Sequence, residues 1–470
     1  MRSRFFLLSA TLSSALFAQS ITLDWNKLNE EALKHFQALV RIDTQDPPGF
    51  EQPAVEYLKK VLEAEGVPVK IFALDPKRPN LVALIKGNGK KKPILIMGHT
   101  DVVNIDPAKW VAHGPFSADR ADGFIYGRGT VDDKDNVTAC LMIMLTLKRM
   151  NIQLDRDVIF LAEAGEEGAS KFGIKYMVEN HFDEIAAEYA FAEGGAGIRT
   201  GGKMKYVSVG TAEKIPYALK LISHGPAGHG SRPLRTNAVV HLSNAVGRVA
   251  AWQTPMRLND TTRAYFERLA GISTPEEAAR YNGLVNPAKT DTIQDYFADK
   301  EPGHYSMLRT SISPTVIKGG YRVNVIPSEA EATLDIRALP DEDIPRFVEM
   351  MKKVINDPAV EIVREARDTR PGAAPSRLDT EGFKVLEAAA KRNYPGVPVL
   401  PTMQTGATDM AYLRGKGMQC YGLGPATDTE DGPKGFGAHS DQERVLESEL
   451  YRFIKFHFEV VADLAAASLK

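Results

Sequence analysis

The sequence predicts an α/β protein in which a discontinuous domain, built on a mixed, largely parallel sheet, is interrupted by a smaller inserted α+β domain. Three observations carry this expectation. Continuous apolar runs such as "PILIMG", "DVIFLAEAG" and "EYAFAEGG" alternate with segments of helical period, the pattern of strands buried on both faces. From Glu213 the text changes to strand, helix, strand, helix, strand in miniature. Beyond the Pro- and Gly-rich stretch "TRPGAAPSRLDTEG" the alternation of the first part returns.

In chain order, "MRSRFFLLSATLSSALFAQS" has two arginines, an apolar stretch from Phe5 to Phe17 and small residues around Ala18, a signal-peptide pattern over residues 1–18. The mature chain is expected to begin near Gln19 and to be exported, periplasmic or secreted. No cysteine follows the apolar stretch to take a lipid, and no later segment has the roughly 18 apolar residues of a membrane span. Residues 25–66 read as helical, with "VEYLKKVLEAEG" spaced by threes and fours up to a glycine stop. Strands follow at "NLVALIKG", "PILIMGHTDVV", "DVIFLAEAGEE" and "EYAFAEGG", with helices over 136–150 and 170–180. These make residues 19–212 the first part of the larger domain. The inserted domain, 213–368, has a strand at "PYALKLISHG", a helix over 237–252, a strand at "EAEATLDIRAL" and a helix at "PRFVEMMKKVI". Within it, residues 255–312 are polar, mixed and without a clear period, as in an insertion. Residues 369–470 complete the larger domain.

At 470 residues the chain is long enough for two or three cores. Lys and Arg total 58 against 60 Asp and Glu, a net charge of −2, so no basic surplus exists to neutralise a nucleic-acid backbone. Cys140 and Cys420 read as buried core thiols, with a single bridge between them left open. No Gly-rich fingerprint follows a strand and opens a helix, which sets dinucleotide binding aside.

The chemistry stands where apolar strands end. His99 and Asp101 follow "ILIMG", Asp132 and Asp133 follow "YGRGTV", Glu166 and Glu167 follow "FLAEAG", and Glu193 follows "YAFA"; His439 lies in "GFGAHSDQERV". Ligands in α/β sheets sit beyond the carboxyl ends of the strands, and imidazole nitrogen with carboxylate oxygen suits zinc and related divalent ions. Five ligands can hold two ions about 3.5–4 Å apart if one carboxylate bridges them. Asp101, two residues from His99, is placed to accept the other ring N–H.

The motifs "GHTDVV", "YGRGTVDDKDN", "AEAGEEGAS", "AEGG", "GHGSRP", "GATDMAYL" and "GAHSDQERV" resemble, in order and spacing, those of the dizinc aminoacylase and carboxypeptidase family. That family includes glutamate carboxypeptidase, acetylornithine deacetylase and succinyl-diaminopimelate desuccinylase. The resemblance implies two zinc ions, with cobalt or manganese as substitutes. It puts His99 and Glu193 on one ion, Glu167 and His439 on the other, and Asp132 between them, with Asp101 supporting His99 and Glu166 as general base. It also implies a homodimer in which the inserted domain acts as lid and dimerisation surface and His229 reaches the partner's site to stabilise an oxyanion. Arg337 would clamp a substrate carboxylate, with Asn324 beside it and Gly406 to Thr408 as a substrate-binding loop. The expected reaction is hydrolysis of an amide next to a free carboxylate, in a small peptide or N-acyl amino acid, with Glu166 activating water. "AEGG" is nearer the carboxypeptidases and N-acyl amino acid hydrolases than the biosynthetic deacylases. The alternative is a catalytically silent exported relative that binds peptides or metal; Glu166 beside the full ligand set argues against it, since a binding protein needs no base.

Overall fold

The computed structural model describes residues 23–365 and 370–467, so the signal-peptide expectation lies outside the described residues. The fold is α/β, with a ten-stranded mixed sheet at its centre. Its middle four strands run parallel in the order Val158–Glu163, Ile94–His99, Tyr189–Ala192, Gln419–Gly422. Every residue of Ile94–His99 and Val158–Glu163 is buried, which is why these strands read as continuous apolar runs. Antiparallel strands flank them, Asn80–Ile85 on one side and the pair Ala196–Thr200 and Lys203–Glu213 on the other. Helices Lys134–Met150, Glu381–Asn393 and Glu447–Ala465 bury apolar stripes in the main core on one face, while Ile174–Asn180 and Met410–Gly415 cover the other.

Two boundaries differ from the periodicity reading. The zone 25–66 is two helices, Trp25–Val40 and Gln52–Ala64, with a short strand Gln45–Asp46 between them. Pro47 and Pro48 follow that strand and supply no amide for a helical ladder. The helix expected from 170 begins at Ile174, because the chain first makes a tight turn through Gly165 at φ +72°.

A second sheet is wholly antiparallel, in the order Ser311–Gly319, Glu329–Ala338, Ile215–His224, Val360–Arg364. Helices Ala238–Ala251 and Ile344–Ile355 pack on it through Leu242, Phe347 and Met351. The stretch without a period, 255–312, forms four short helices, Asp260–Ala270, Pro275–Gly283, Pro287–Lys300 and Pro302–Met307. Pro275–Gly283 and Pro302–Met307 are too short to display a period, and the longest, Pro287–Lys300, buries only Ile293, Gln294 and Phe297. Their start signals are nevertheless in the sequence: capping boxes at Asn259 and Thr274, and Pro in the first turn of the last three. Their apolar faces, Phe266, Phe297 and Leu308 among them, pack on Leu400 and Met403 of strand Val399–Gln404, which belongs to the large sheet. Both cysteines are buried and free.

Candidate metal centre and active site

Parallel register brings the ends of the central strands level, with His99 opposite Glu163. His99 is buried, and its Nδ1 lies 3.0 Å from the main-chain oxygen of Asp101, which accepts the ring N–H. That bond turns Nε2 toward Asp132, whose Oδ1 is 3.0 Å away. From the far end of the chain His439 brings Nε2 to 3.0 Å from Asp132 Oδ2 and 2.9 Å from Glu167 Oε1. Asp132 therefore offers one oxygen to each histidine. Two groups of candidate ligands result, His99 with Asp132 and Glu193, and Asp132 with Glu167 and His439; within each, the ligand atoms lie within 4.8 Å of one another.

Asp101 stands beside His99, as the sequence predicts, and also serves the glutamate turn. The nearer partner of the His99 N–H is the Asp101 main-chain carbonyl, with the carboxylate at 3.4 Å. The two carboxylate oxygens accept the amides of Glu166 at 3.2 Å and Glu167 at 3.0 Å. Asp101 thus fixes the turn that carries the glutamate pair, a role that depends on main-chain donors and leaves no residue signature in the sequence.

The electrostatics fit a divalent centre. Burial pushes the carboxyls of Glu163, Glu166 and Glu193 well above their usual range and Asp133 up to about 7. Hydrogen bonds to Asp132 and Glu167 lift His439 to about 10. A cluster that grips protons so firmly is short of positive charge, and its nitrogen and oxygen donors are those zinc prefers. A third acidic group, Asp46, Glu51 and Asp101, already has a cation: Arg78 NH2 lies 2.6 Å from Asp46 and 2.5 Å from Glu51.

Glu166 and Glu167 diverge, as neighbours on a tight turn can. Glu167 faces His439, whereas the Glu166 carboxylate is ion-paired with Arg370, which also donates to the Glu166 main-chain oxygen at 3.0 Å. Arg370 reaches Asp409 as well, through Nε at 3.2 Å and NH2 at 3.1 Å. Neither Arg370 nor Asp409 is visible as a site residue in the sequence, since one sits in a Pro/Gly-rich linker and the other in a turn, and only the tertiary fold joins them.

The expected substrate contacts are more scattered. His229 is exposed in a two-residue strand paired with Val325, and its Nδ1 accepts from Ser231 Oγ at 2.8 Å. Asn324 accepts the Gly230 amide on its main-chain oxygen at 2.8 Å, which places it beside the His229 turn. Arg337 is half-exposed and pairs with Asp335, Nε to Oδ1 at 3.0 Å and NH2 to Oδ2 at 3.2 Å. Gly406 is exposed, with open space where a Cβ would stand. Thr408 does not present its hydroxyl outward: it is buried, donates to Glu213 at 2.6 Å and accepts the Met410 amide at 3.2 Å. Its amide and hydroxyl are engaged by the fold.

Comparison with known proteins places this geometry. The chain is 30% identical over 327 residues to a probable carboxypeptidase S-like 2 from Dictyostelium discoideum, covering 68% of this chain and 62% of that protein. It is 27% identical over 383 residues to the human N-fatty-acyl-amino acid synthase/hydrolase PM20D1, covering 79% and 74% respectively. Rat aminoacylase-1A is 24% identical over 436 residues, 92% of this chain and 94% of its own. In fold, the M20 family metallo-carboxypeptidase Sso-CP2 from Sulfolobus solfataricus aligns with a TM-score of 0.71 at 21% identity, over 92% of this chain and 98% of that one. A dinuclear metal-binding M20 peptidase from Bacillus subtilis aligns at 0.58 and 15% identity, over 93% and 99%. Residues 95–463 match Peptidase family M20/M25/M40, and the chain belongs to that family of metallopeptidases and amidohydrolases.

Proposed function

We propose that the chain hydrolyses an amide bond next to a free carboxylate, in a small peptide or an N-acyl amino acid, using two zinc ions for which cobalt or manganese can substitute. The observation that carries this is Asp132, one oxygen toward His99 and the other toward His439, with Glu166 on the adjoining turn. His99, Asp132 and Glu193 would hold one ion, and Asp132, Glu167 and His439 the other. Bound there, such ions supply Lewis-acid activation of water and of an amide carbonyl.

Glu166 takes the proton from the attacking water and returns it to the leaving nitrogen, so no covalent intermediate is needed. Asp101 positions Glu166 and Glu167 by accepting both amides. Arg337 pairs with the carboxylate of the leaving amino acid; its guanidinium keeps hydrogen-bonding capacity beyond the Asp335 contact. Relatives named as aminoacylase, as carboxypeptidase and as N-fatty-acyl-amino acid hydrolase support the substrate class.

The protein works outside the cytoplasm, on the evidence of its first residues, and as a homodimer. Strand Ser311–Gly319 supports the second point, as an edge strand with Val316 and Ile317 exposed, close to the exposed Tyr321 and Val323. Glu166→Gln tests the central claim. Both metals should stay bound, measured by elemental analysis, while kcat on dipeptides and N-acyl amino acids falls by ~10²–10⁴-fold. Near-normal turnover in the metal-replete variant would remove Glu166 from the reaction.

A further inference from the structure

A cavity of about 510 Å³ opens beside the candidate ligands Asp132 and Glu193 and runs under the helices of the 255–312 stretch. Its size falls within the roughly 300–1,000 Å³ of small-molecule sites. One wall is the strand end carrying Glu193, Gly194 and Gly195, and the opposite wall is Tyr265, Gly303, His304 and Met307 from the short helices. We infer that this cavity receives the acyl side of the scissile amide and takes an extended apolar chain, making N-acyl amino acids with long acyl groups the preferred substrates. The inference rests on the reading of the chain as an amide hydrolase.

Charge decides which half of the substrate enters. The lining has no lysine or arginine, and its ionisable members are the acids Asp132, Asp135 and Glu193 together with His304. Burial lowers the His304 pKa, favouring the neutral ring. A leaving amino acid with a free carboxylate would find no lysine or arginine in that wall to pair with, so the uncharged acyl side is the one that fits.

Hydrogen bonding decides the chemistry of that acyl group. Several polar side chains of the wall are already engaged, although both carboxylate oxygens of Asp135 and the Asn136 Oδ1, near Asp132, have no partner. Ser208 Oγ and Thr402 Oγ1 are 2.8 Å apart, Gln404 donates to the main-chain oxygen of Gly194, and Tyr265 OH lies 3.0 Å from His304 Nε2, whose Nδ1 is 2.5 Å from Glu301. To a ligand the wall adds carbon, from Ile198, Met307, Met403 and Leu423. The short helices thus supply a binding wall that large-sheet strands alone would leave open.

Gly303 gives a clean test, because a Cβ there meets nothing within 4 Å. Gly303→Phe adds a ring at a lining position where the Cβ itself clashes with nothing, and Met307→Trp enlarges another lining residue one turn on should the first variant fold poorly. Each buried methylene is worth about fourfold in affinity. Wild-type enzyme should therefore favour N-decanoyl-leucine over N-acetyl-leucine in kcat/KM, and either variant should lower that ratio by tenfold or more. A wild type that prefers the acetyl substrate, or a variant whose ratio stays within twofold, overturns the cavity assignment while amide hydrolysis stands. If metal-loaded enzyme cleaves no N-acyl amino acid and no dipeptide, the catalytic reading fails instead. Calorimetry of N-decanoyl-leucine with the metal-stripped full chain then judges the cavity alone: tenfold weaker binding in Gly303→Phe is expected, and equal affinity overturns it.

Discussion

Replacing Arg370 with alanine removes the cation shared by two buried carboxylates. The Asp409 side chain is 2% exposed and that of Glu166 9%, and Arg370 donates to both. Asp409 Oδ2 has no hydrogen-bond partner, so its other oxygen depends on the guanidinium. Removing one partner of a buried pair costs about 3–5 kcal/mol, because the remaining charge is left without compensation. Protonation limits the loss. Burial already holds Asp409 at about 6, with Arg370 pulling it down, and without Arg370 it rises further. A carboxyl whose folded pKa is raised binds its proton more tightly in the fold than when unfolded, so stability from this group declines as pH rises through that range. The penalty of Arg370→Ala should therefore be small near pH 5 and grow to about 3–5 kcal/mol at pH 8. Urea unfolding of wild type, Arg370→Ala, Asp409→Asn and the double variant at both pH values measures this. The double variant should be less destabilised than the sum of the singles, with a coupling of roughly 1–3 kcal/mol. A single-variant loss below about 1 kcal/mol at pH 8, or additive effects, would refute the idea that Arg370 compensates these carboxylates.

Three further outcomes are expected. Zinc binding to the metal-free chain at pH 7.5 should expel at least one proton, because His439 holds its proton up to about 10 until metal takes its place; calorimetry in buffers of different protonation enthalpy reads this, and zero release would argue against His439 as a ligand. His457→Leu should stabilise the chain by about 1–3 kcal/mol at pH 7, since both ring nitrogens are buried without partners. Burial lowers that ring to about 3, so the unfolded chain alone gains a proton below about 6.5, and the advantage of leucine should grow by about 2 kcal/mol at pH 5; a gain that is flat with pH contradicts the assignment. Mixing inactive His229→Ala with inactive Glu166→Ala should regenerate activity through hybrid dimers, and no recovery despite proven subunit exchange would place His229 outside the partner's site.

The strand ends were legible because buried parallel strands write themselves as apolar runs, and a polar residue closing such a run has few structural reasons to be there. His99, Glu167 and Glu193 stand at or just beyond such strands, whereas Asp132 and His439 lie in turns and are candidates through their motifs alone. The 255–312 helices are hard to read by period because Pro302–Met307 has six residues and the longer Pro287–Lys300 buries only three. Their signals were caps and prolines. Arg370 was missed for a different reason: an ion pair spanning 204 residues of sequence has no local pattern at all. The same holds for Thr408, whose motif position suggested a ligand contact but whose hydroxyl is claimed by Glu213, a strand-end residue far away in the chain.

Both passages of the chain between its two sheets are tied down at the candidate site. On the outward passage Glu213 accepts the Thr408 amide at 2.9 Å and lies 3.3 Å from Arg414, anchoring the segment that contains Asp409. Lys214, buried and lowered by that burial to about 7, donates to the Ser306 main-chain oxygen at 2.9 Å and to Ser311 Oγ at 2.8 Å. It thereby joins the end of the short helices to the first residue of the second sheet. On the return passage Arg370 closes on Glu166 and Asp409. The residues that fix the second sheet to the first are thus the same ones that hold the glutamate turn and the cavity wall. A substitution at either passage should consequently be read in kcat and in acyl preference as well as in stability, whereas one on the outer helix Ile344–Ile355, which packs on the second sheet and on the helix Ala238–Ala251, should be read in stability only.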